Sequence, residues 1–187
     1  MHVLAISGSL RADSHNTALA RAASELAPGG VEVDVYDGLA DLPLYDGDLD
    51  APDAAPEAVE RLRHAIGAAD ALLFVTPEYN GSVSGVLKNA VDWASRPAGR
   101  SSALWGQTAA VAGATTGQYG AMWAQQDLRR ILGIAGARVI DGELPVPRAH
   151  NAFDEGGRLR DPLLAERLRA HLGSLVHEAA ADALAAA

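Results

Sequence analysis

Residues Ala71 to Gly85 read ALLFVTPEYNGSVSG, and the opening ALLFVT decides the fold. A short apolar run with no polar alternation suits a strand covered on both faces, as in parallel sheets flanked by helices. Pro77 and the Asn80-Gly81 pair then turn the chain into a helix. Upstream lie a strand at residues 2 to 7 (HVLAIS), a helix from about Ser14 to Leu26 stopped by Pro28, Gly29 and Gly30, and the alternating strand VEVDVYD from Val31 to Asp37. An irregular connection rich in Asp and Pro, Gly38 to Pro56, leads to a helix over about Pro56 to Ala68. Downstream the pattern predicts a helix from Ser82 to Ala94, a strand from Gln107 to Gly113, a helix from Tyr119 to Ile134 and a strand, ARVI, from Ala137 to Ile140. After a second irregular stretch, Asp161 and Pro162 read as cap and first residue of a helix running into the Ala-rich tail.

Strands alternating with helices describe an α/β fold with a doubly wound parallel sheet, and five strands fit the flavodoxin-like order 2-1-3-4-5 in one domain over residues 1–187. Ligands of such sheets bind beyond the carboxyl ends of the strands, at the switch point between the first and third. The loops after Ser7, Thr76 and Gly113 are therefore the candidate site.

Composition narrows the chemistry. Twenty-four acidic against fifteen basic residues give a net charge of −9, which opposes binding to nucleic acid or anionic lipid. No Cys is present, which excludes disulfides, thiolate nucleophiles, thiolate-held metals and thioether-linked cofactors. Redox chemistry then requires a noncovalent cofactor. No targeting or membrane segment is evident, so the expected location is the cytoplasm. The six His residues form no ligand pattern, Asp46, Asp48 and Asp50 lack the Gly and Glu of a calcium loop, and no metal site is expected.

The first loop, SGSLRADSHNT (Ser7 to Thr17), joins a strand to a helix. The helix N-terminus offers free N–H groups and partial positive charge to a phosphate, with Ser9, Ser14, Asn16 and Thr17 as further donors and Arg11 as a cation. The Walker and dinucleotide fingerprints are both absent, since Lys88 is the only Lys and the loop has the single Gly8. The second loop, TPEYNGSVSG (Thr76 to Gly85), offers backbone groups to the edge of a flat ring, with Tyr79 as an aromatic wall. Glu78 reads better as a carboxylate that is solvated or bound to neighbouring backbone than as a general base, so no catalytic acid or base is assigned. The third loop, GATTGQYG (Gly113 to Gly120), allows close backbone approach and aims N–H groups at charge developing on a reduced cofactor.

These segments, with DLPLYDGDLD (Asp41 to Asp50), TPEYNGSVSGVLKNAVDWASRP (Thr76 to Pro97), GATTGQYGAMWAQQDLRRIL (Gly113 to Leu132) and FDEGGRLRD (Phe153 to Asp161), resemble the NAD(P)H-dependent FMN reductases, which include quinone, chromate and azo-dye reductases of flavodoxin-like fold. The resemblance implies that Ser9, Arg11, Ser14, Asn16 and Thr17 form the FMN phosphate loop. It implies that Pro77, Glu78, Tyr79, Asn80 and Gly81 lie along the flavin ring, and that Gly113, Ala114, Thr115 and Gly117 lie near its pyrimidine edge. Thr115 stands where Ser is common, Ser84 replaces a frequent Pro, and Ala121 stands where a second Gly is often found. The implied activity is hydride transfer from NADPH or NADH to noncovalent FMN, then to a quinone-like or other small acceptor, by a ping-pong mechanism in a homodimer or homotetramer. The alternatives are a flavodoxin-like electron carrier that does not oxidise nicotinamide, and a non-catalytic regulatory relative.

Overall fold

Both faces of the ALLFVT strand are covered: Ala71, Leu73 and Val75 enter one apolar cluster, Leu72 and Phe74 the other, and none is more than 1 % exposed. The computed structural model describes residues 1–50 and 55–186. The order of elements is β1 (His2–Ser7), α1 (His15–Leu26), β2 (Glu32–Tyr36), α2 (Glu57–Ala68), β3 (Ala71–Thr76), β4 (Glu78–Tyr79), β5 (Ser82–Val83), α3 (Gly85–Ala94), β6 (Thr108–Ala114), α4 (Met122–Ile134), β7 (Arg138–Val139), β8 (Leu144–Val146) and α5 (Pro162–Ala186). Side chains alternate between the faces of each strand. Helices α1 and α5 supply one cluster and α2, α3 and α4 the other, giving three layers.

The central sheet is parallel at every pairing, in the order β2-β1-β3-β6-β7, with β8 also pairing to β6. It thus has six strands rather than the expected five-stranded 2-1-3-4-5. The added strand is β8, which holds Pro145, a residue without an N–H that an edge strand accommodates. It shares the outer side of β6 with β7, β7 facing Thr108 and Ala109 and β8 facing Ala112 to Ala114. The expected strand Ala137–Ile140 shrinks to the two residues of β7.

Two helix starts also differ from expectation. Ser82 and Val83 are strand β5 rather than the first turn of α3, because Asn80 (φ 53°) and Gly81 (φ 73°) turn the chain back on β4. Helix α4 begins at Met122, not Tyr119, since Gly120 and Ala121 both take φ 61°. The start of α1 agrees with its cap, Ser14, whose Oγ accepts the N–H groups of Asn16 and Thr17.

The connection after β2 contains single turns at Gly38–Asp41 and Gly47–Leu49, and its residues 51–54 lie outside the described residues. It is pinned to α3: the Asn89 carboxamide and the Trp93 indole N–H both donate to the Pro43 carbonyl at 2.8 Å. Asp50 pairs with Arg63 at 2.6 Å in a largely buried contact. Among the described residues, no helix is long and apolar enough to cross a membrane and no group of three or more His, Asp or Glu could hold a metal.

Candidate functional site

Because all strands of the central sheet point the same way, the three candidate loops leave it along one edge. The register pairs Ser7 with Val75 and Thr76 with Gly113, so the loops emerge side by side at the switch point between β1 and β3.

In the first loop, Gly8 donates to the Val75 carbonyl at 2.8 Å, and a Cβ at this position would come within 2.9 Å of Leu87 Cβ and Ser84 Oγ. Only glycine lets the backbone lie this close to α3. Ser84, which sequence reading left out of the site, donates its hydroxyl to the Gly8 carbonyl at 2.7 Å and accepts the Leu87 N–H, joining the first loop to the cap of α3. From Ser9 to His15, no backbone N–H has a hydrogen-bond partner among the described residues. The exposed Arg11 pairs with no carboxylate among them. Ser14 Oγ caps α1, and Thr17 Oγ1 lies 2.9 Å from Ser7 Oγ. Burial, with Arg11 and then His150 nearby, lowers the pKa of His15, whose ring stacks on Phe153 at 6.4 Å. This cationic corner with a run of free N–H groups suits an anion. A cleft of 420 Å³ lies between Gly8–Arg11, Tyr79 and the start of α3.

Asn16 is placed differently from the other phosphate-loop candidates. Its side chain is buried, donating to the Ala114 carbonyl and accepting the Ala114 N–H, and so ties the first loop to the third.

The second loop is built as the β4–β5 hairpin. Pro77 is buried and the Thr76 hydroxyl donates to its carbonyl at 2.7 Å. Tyr79, Asn80 and Gly81 form the exposed turn. The Glu78 carboxylate accepts the Ala124 N–H of α4 at 3.1 Å, and the Ser82 hydroxyl donates to Asp127 at 2.7 Å. Glu78 is thus bound to backbone, but to that of a helix 46 residues away and not to its own loop.

In the third loop, a Cβ at Gly113 would lie 2.8 Å from both Ala121 Cβ and the Thr76 carbonyl. Thr115 donates its N–H to Val146 at 3.1 Å and accepts that of Gly117 at 3.4 Å, while the Thr116 N–H has no partner among the described residues. Behind the loop, Gln125 is completely buried, donating to the Gly120 carbonyl and accepting the Leu144 N–H, and so holds β8 to the start of α4. Sequence reading did not assign Gln125 to the site; its signal is a polar residue on the buried helical face with Ala124, Leu128 and Leu132. Tyr119 and the half-exposed Trp123 pack edge to face at 4.8 Å beside this loop.

The donor set fits a flavin mononucleotide: an anion corner of free N–H groups and Arg11 for a phosphate, beside two loops that offer backbone groups and an aromatic side chain to a ring. A sequence profile described as NADPH-dependent FMN reductase matches residues 1–151. The chain is 45 % identical over 174 residues to an NAD(P)H-dependent FMN reductase of Pseudomonas aeruginosa, covering 92 % of each. It is 42 % identical over 160 residues to a quinone reductase of Pseudomonas putida, covering 85 % of this chain and 84 % of that one. The solved structure of the flavoenzyme FerB, an NAD(P)H:(acceptor) oxidoreductase from Paracoccus denitrificans, superposes with a TM-score of 0.84 at 35 % identity, covering 97 % of this chain and 98 % of that chain. All three loops, the sheet that carries them and the β8 brace fall inside the matched residues, and the chain belongs to the NADPH-dependent FMN reductase family.

Proposed function

We propose that this chain is an FMN-dependent oxidoreductase that takes electrons from NADPH or NADH and delivers them to a quinone or another small acceptor. The observation that carries this reading is the anion corner of Ser9 to His15 with Arg11, set at the same sheet edge as the hairpin and third loop. FMN supplies, when bound, a noncovalent two-electron carrier that accepts hydride from the nicotinamide.

Ser9, Arg11, Ser14 and Thr17 hold the phosphate, with Asn16 fixing the position of their loop. Pro77, Glu78, Tyr79, Asn80 and Gly81 shape the wall along the ring, Glu78 through its bond to α4. Gly113, Ala114, Thr115 and Gly117 form the loop at the pyrimidine edge. No side chain is assigned to proton transfer, because hydride passing between stacked rings requires proximity and orientation above all. Residues 1–187 act as one FMN-binding domain. Donor and acceptor then share one opening in turn, which gives ping-pong kinetics. With the β4–β5 hairpin left out and β8 taken as a continuation of the outer edge, the sheet follows the flavodoxin-like order 2-1-3-4-5.

We further infer a cytoplasmic protein, and one that assembles as a homodimer or homotetramer; the assembly is supported by the half-exposed Tyr79, Tyr119 and Trp123 on the segments bordering the site. Anaerobic addition of NADPH or NADH to the FMN-loaded protein tests the activity: stoichiometric bleaching of the flavin band is expected, and inertness would mark an electron carrier instead.

A further inference from the structure

Glu78 lies in the hairpin of the proposed flavin site, yet its carboxylate is spent on helix α4. The hairpin consists of two residue pairs, Glu78 with Val83 and Tyr79 with Ser82, and a ribbon that short does not hold its own position. Helix α4 has a complementary deficiency. Its N-cap, Ala121, offers no side-chain hydrogen bond, and the first turn contains no acidic residue. The free N–H groups and positive dipole end of α4 therefore call for an acceptor from elsewhere. Glu78 Oε2 supplies it to the Ala124 N–H at 3.1 Å. On the other strand, Ser82 Oγ donates to Asp127 Oδ2 at 2.7 Å. Ala124 and Asp127 are three residues apart on one helix face, so each strand of the hairpin has its own anchor there.

We propose that Glu78 and Asp127 are positioning residues: they clamp β4 and β5 to one face of α4 and so set where the Tyr79–Gly81 turn stands in the site. The proposal rests on the FMN reductase reading and adds the device that fixes the ring-side wall. Asn80 and Gly81, both at positive φ, make a tight two-residue turn, so the placement of the two strands carries through to the tip.

The test compares Glu78→Ala, Glu78→Gln, Asp127→Ala and Asp127→Asn in the full-length protein. The measurements are dissociation constants for FMN and riboflavin, kcat and KM for the nicotinamide, and the pH profile of kcat/KM. Each alanine variant is expected to weaken FMN and riboflavin by the same factor, about three- to tenfold from the loss of one cap-type hydrogen bond. It should also raise the nicotinamide KM more than it lowers kcat. The amide variants retain an acceptor oxygen and should return to near wild-type values with an unchanged pH profile. Ser82→Ala, which removes only a hydroxyl, carries the same expectation should an alanine variant of a carboxylate fail to fold. Loss of kcat in Glu78→Gln with FMN affinity intact, or a shifted pH profile, would overturn the proposal in favour of acid–base chemistry. Wild-type flavin affinity and KM in both alanine variants would overturn it as well. A wild-type chain that binds no FMN would instead refute the functional reading itself, and the clamp's role with it.

Discussion

The Asn16 carboxamide pairs with both backbone groups of Ala114, donating at 3.0 Å and accepting at 2.9 Å across 98 residues of sequence. It acts as an artificial strand partner at the exit of β6, holding the start of α1 against the third loop. Asn16→Ala leaves two buried backbone groups without partners, a loss of about 2–5 kcal/mol. Thermal unfolding should show a fall in Tm of roughly 5–15 °C. A variant melting within a degree of wild type would show that the link carries no load.

Ser84 has two roles at one hydroxyl, donating to the Gly8 carbonyl and capping α3. Ser84→Ala is expected to cost about 1–3 kcal/mol and to weaken FMN binding, because the first loop loses its bond to α3. Denaturant titration measures the first effect and flavin fluorescence the second.

Arg11 has no carboxylate partner among the described residues, so its removal leaves no orphaned charge. Arg11→Gln should leave Tm unchanged, weaken FMN by about tenfold through loss of a charge-assisted hydrogen bond, and leave riboflavin, which has no phosphate, unaffected. Equal losses for the two flavins would place Arg11 away from the phosphate.

His171 of α5 lies 2.9 Å through Nε2 from the Val111 carbonyl, in the gap that β7 and β8 leave along the outer side of β6. Burial lowers its pKa below the ordinary 6.5; the hydrogen bond and Glu143 work the other way, while Arg129 and Arg167 add to the lowering. In the acid range the unfolded chain then binds more protons at this position than the folded one. The contribution of neutral His171 to stability is complete above pH 6.5 and is lost as pH falls through that value towards the folded pKa. His171→Gln, with an amide donor and no titration, should have a shallower fall in denaturant stability than wild type as pH drops below 6.5. Identical slopes would refute this assignment.

The parallel sheet and the shared edge of the three loops were legible because ALLFVT, HVLAIS and the strand after Gln107 are apolar runs ending in Gly-, Thr- or Ser-rich turns. Strand β8 was not, because Pro145 and Pro147 read as breakers and only the edge position makes Pro145 tolerable. Ser82 and Val83 carry no strand signal in the sequence, because two-residue strands have no periodicity. Ala121, ordinarily a strong helix former, has a left-handed backbone to which the one pointer is the Gly that the resemblance puts at this place. Within the site, residue types were informative and their partners were not. Asn16 and Glu78 stood out as polar residues in the right loops, but their bonds to Ala114 and Ala124 depend on long-range packing.

The outer margin of the sheet is divided between β7 and β8, two and three residues long, with a histidine filling the interval. The opposite margin, β2, places Glu32 and Asp34 among its five residues. Neither offers the long, uncharged row of free backbone groups that another strand needs as a template. The proposed assembly of copies would therefore use helices and loops and not an extension of the sheet.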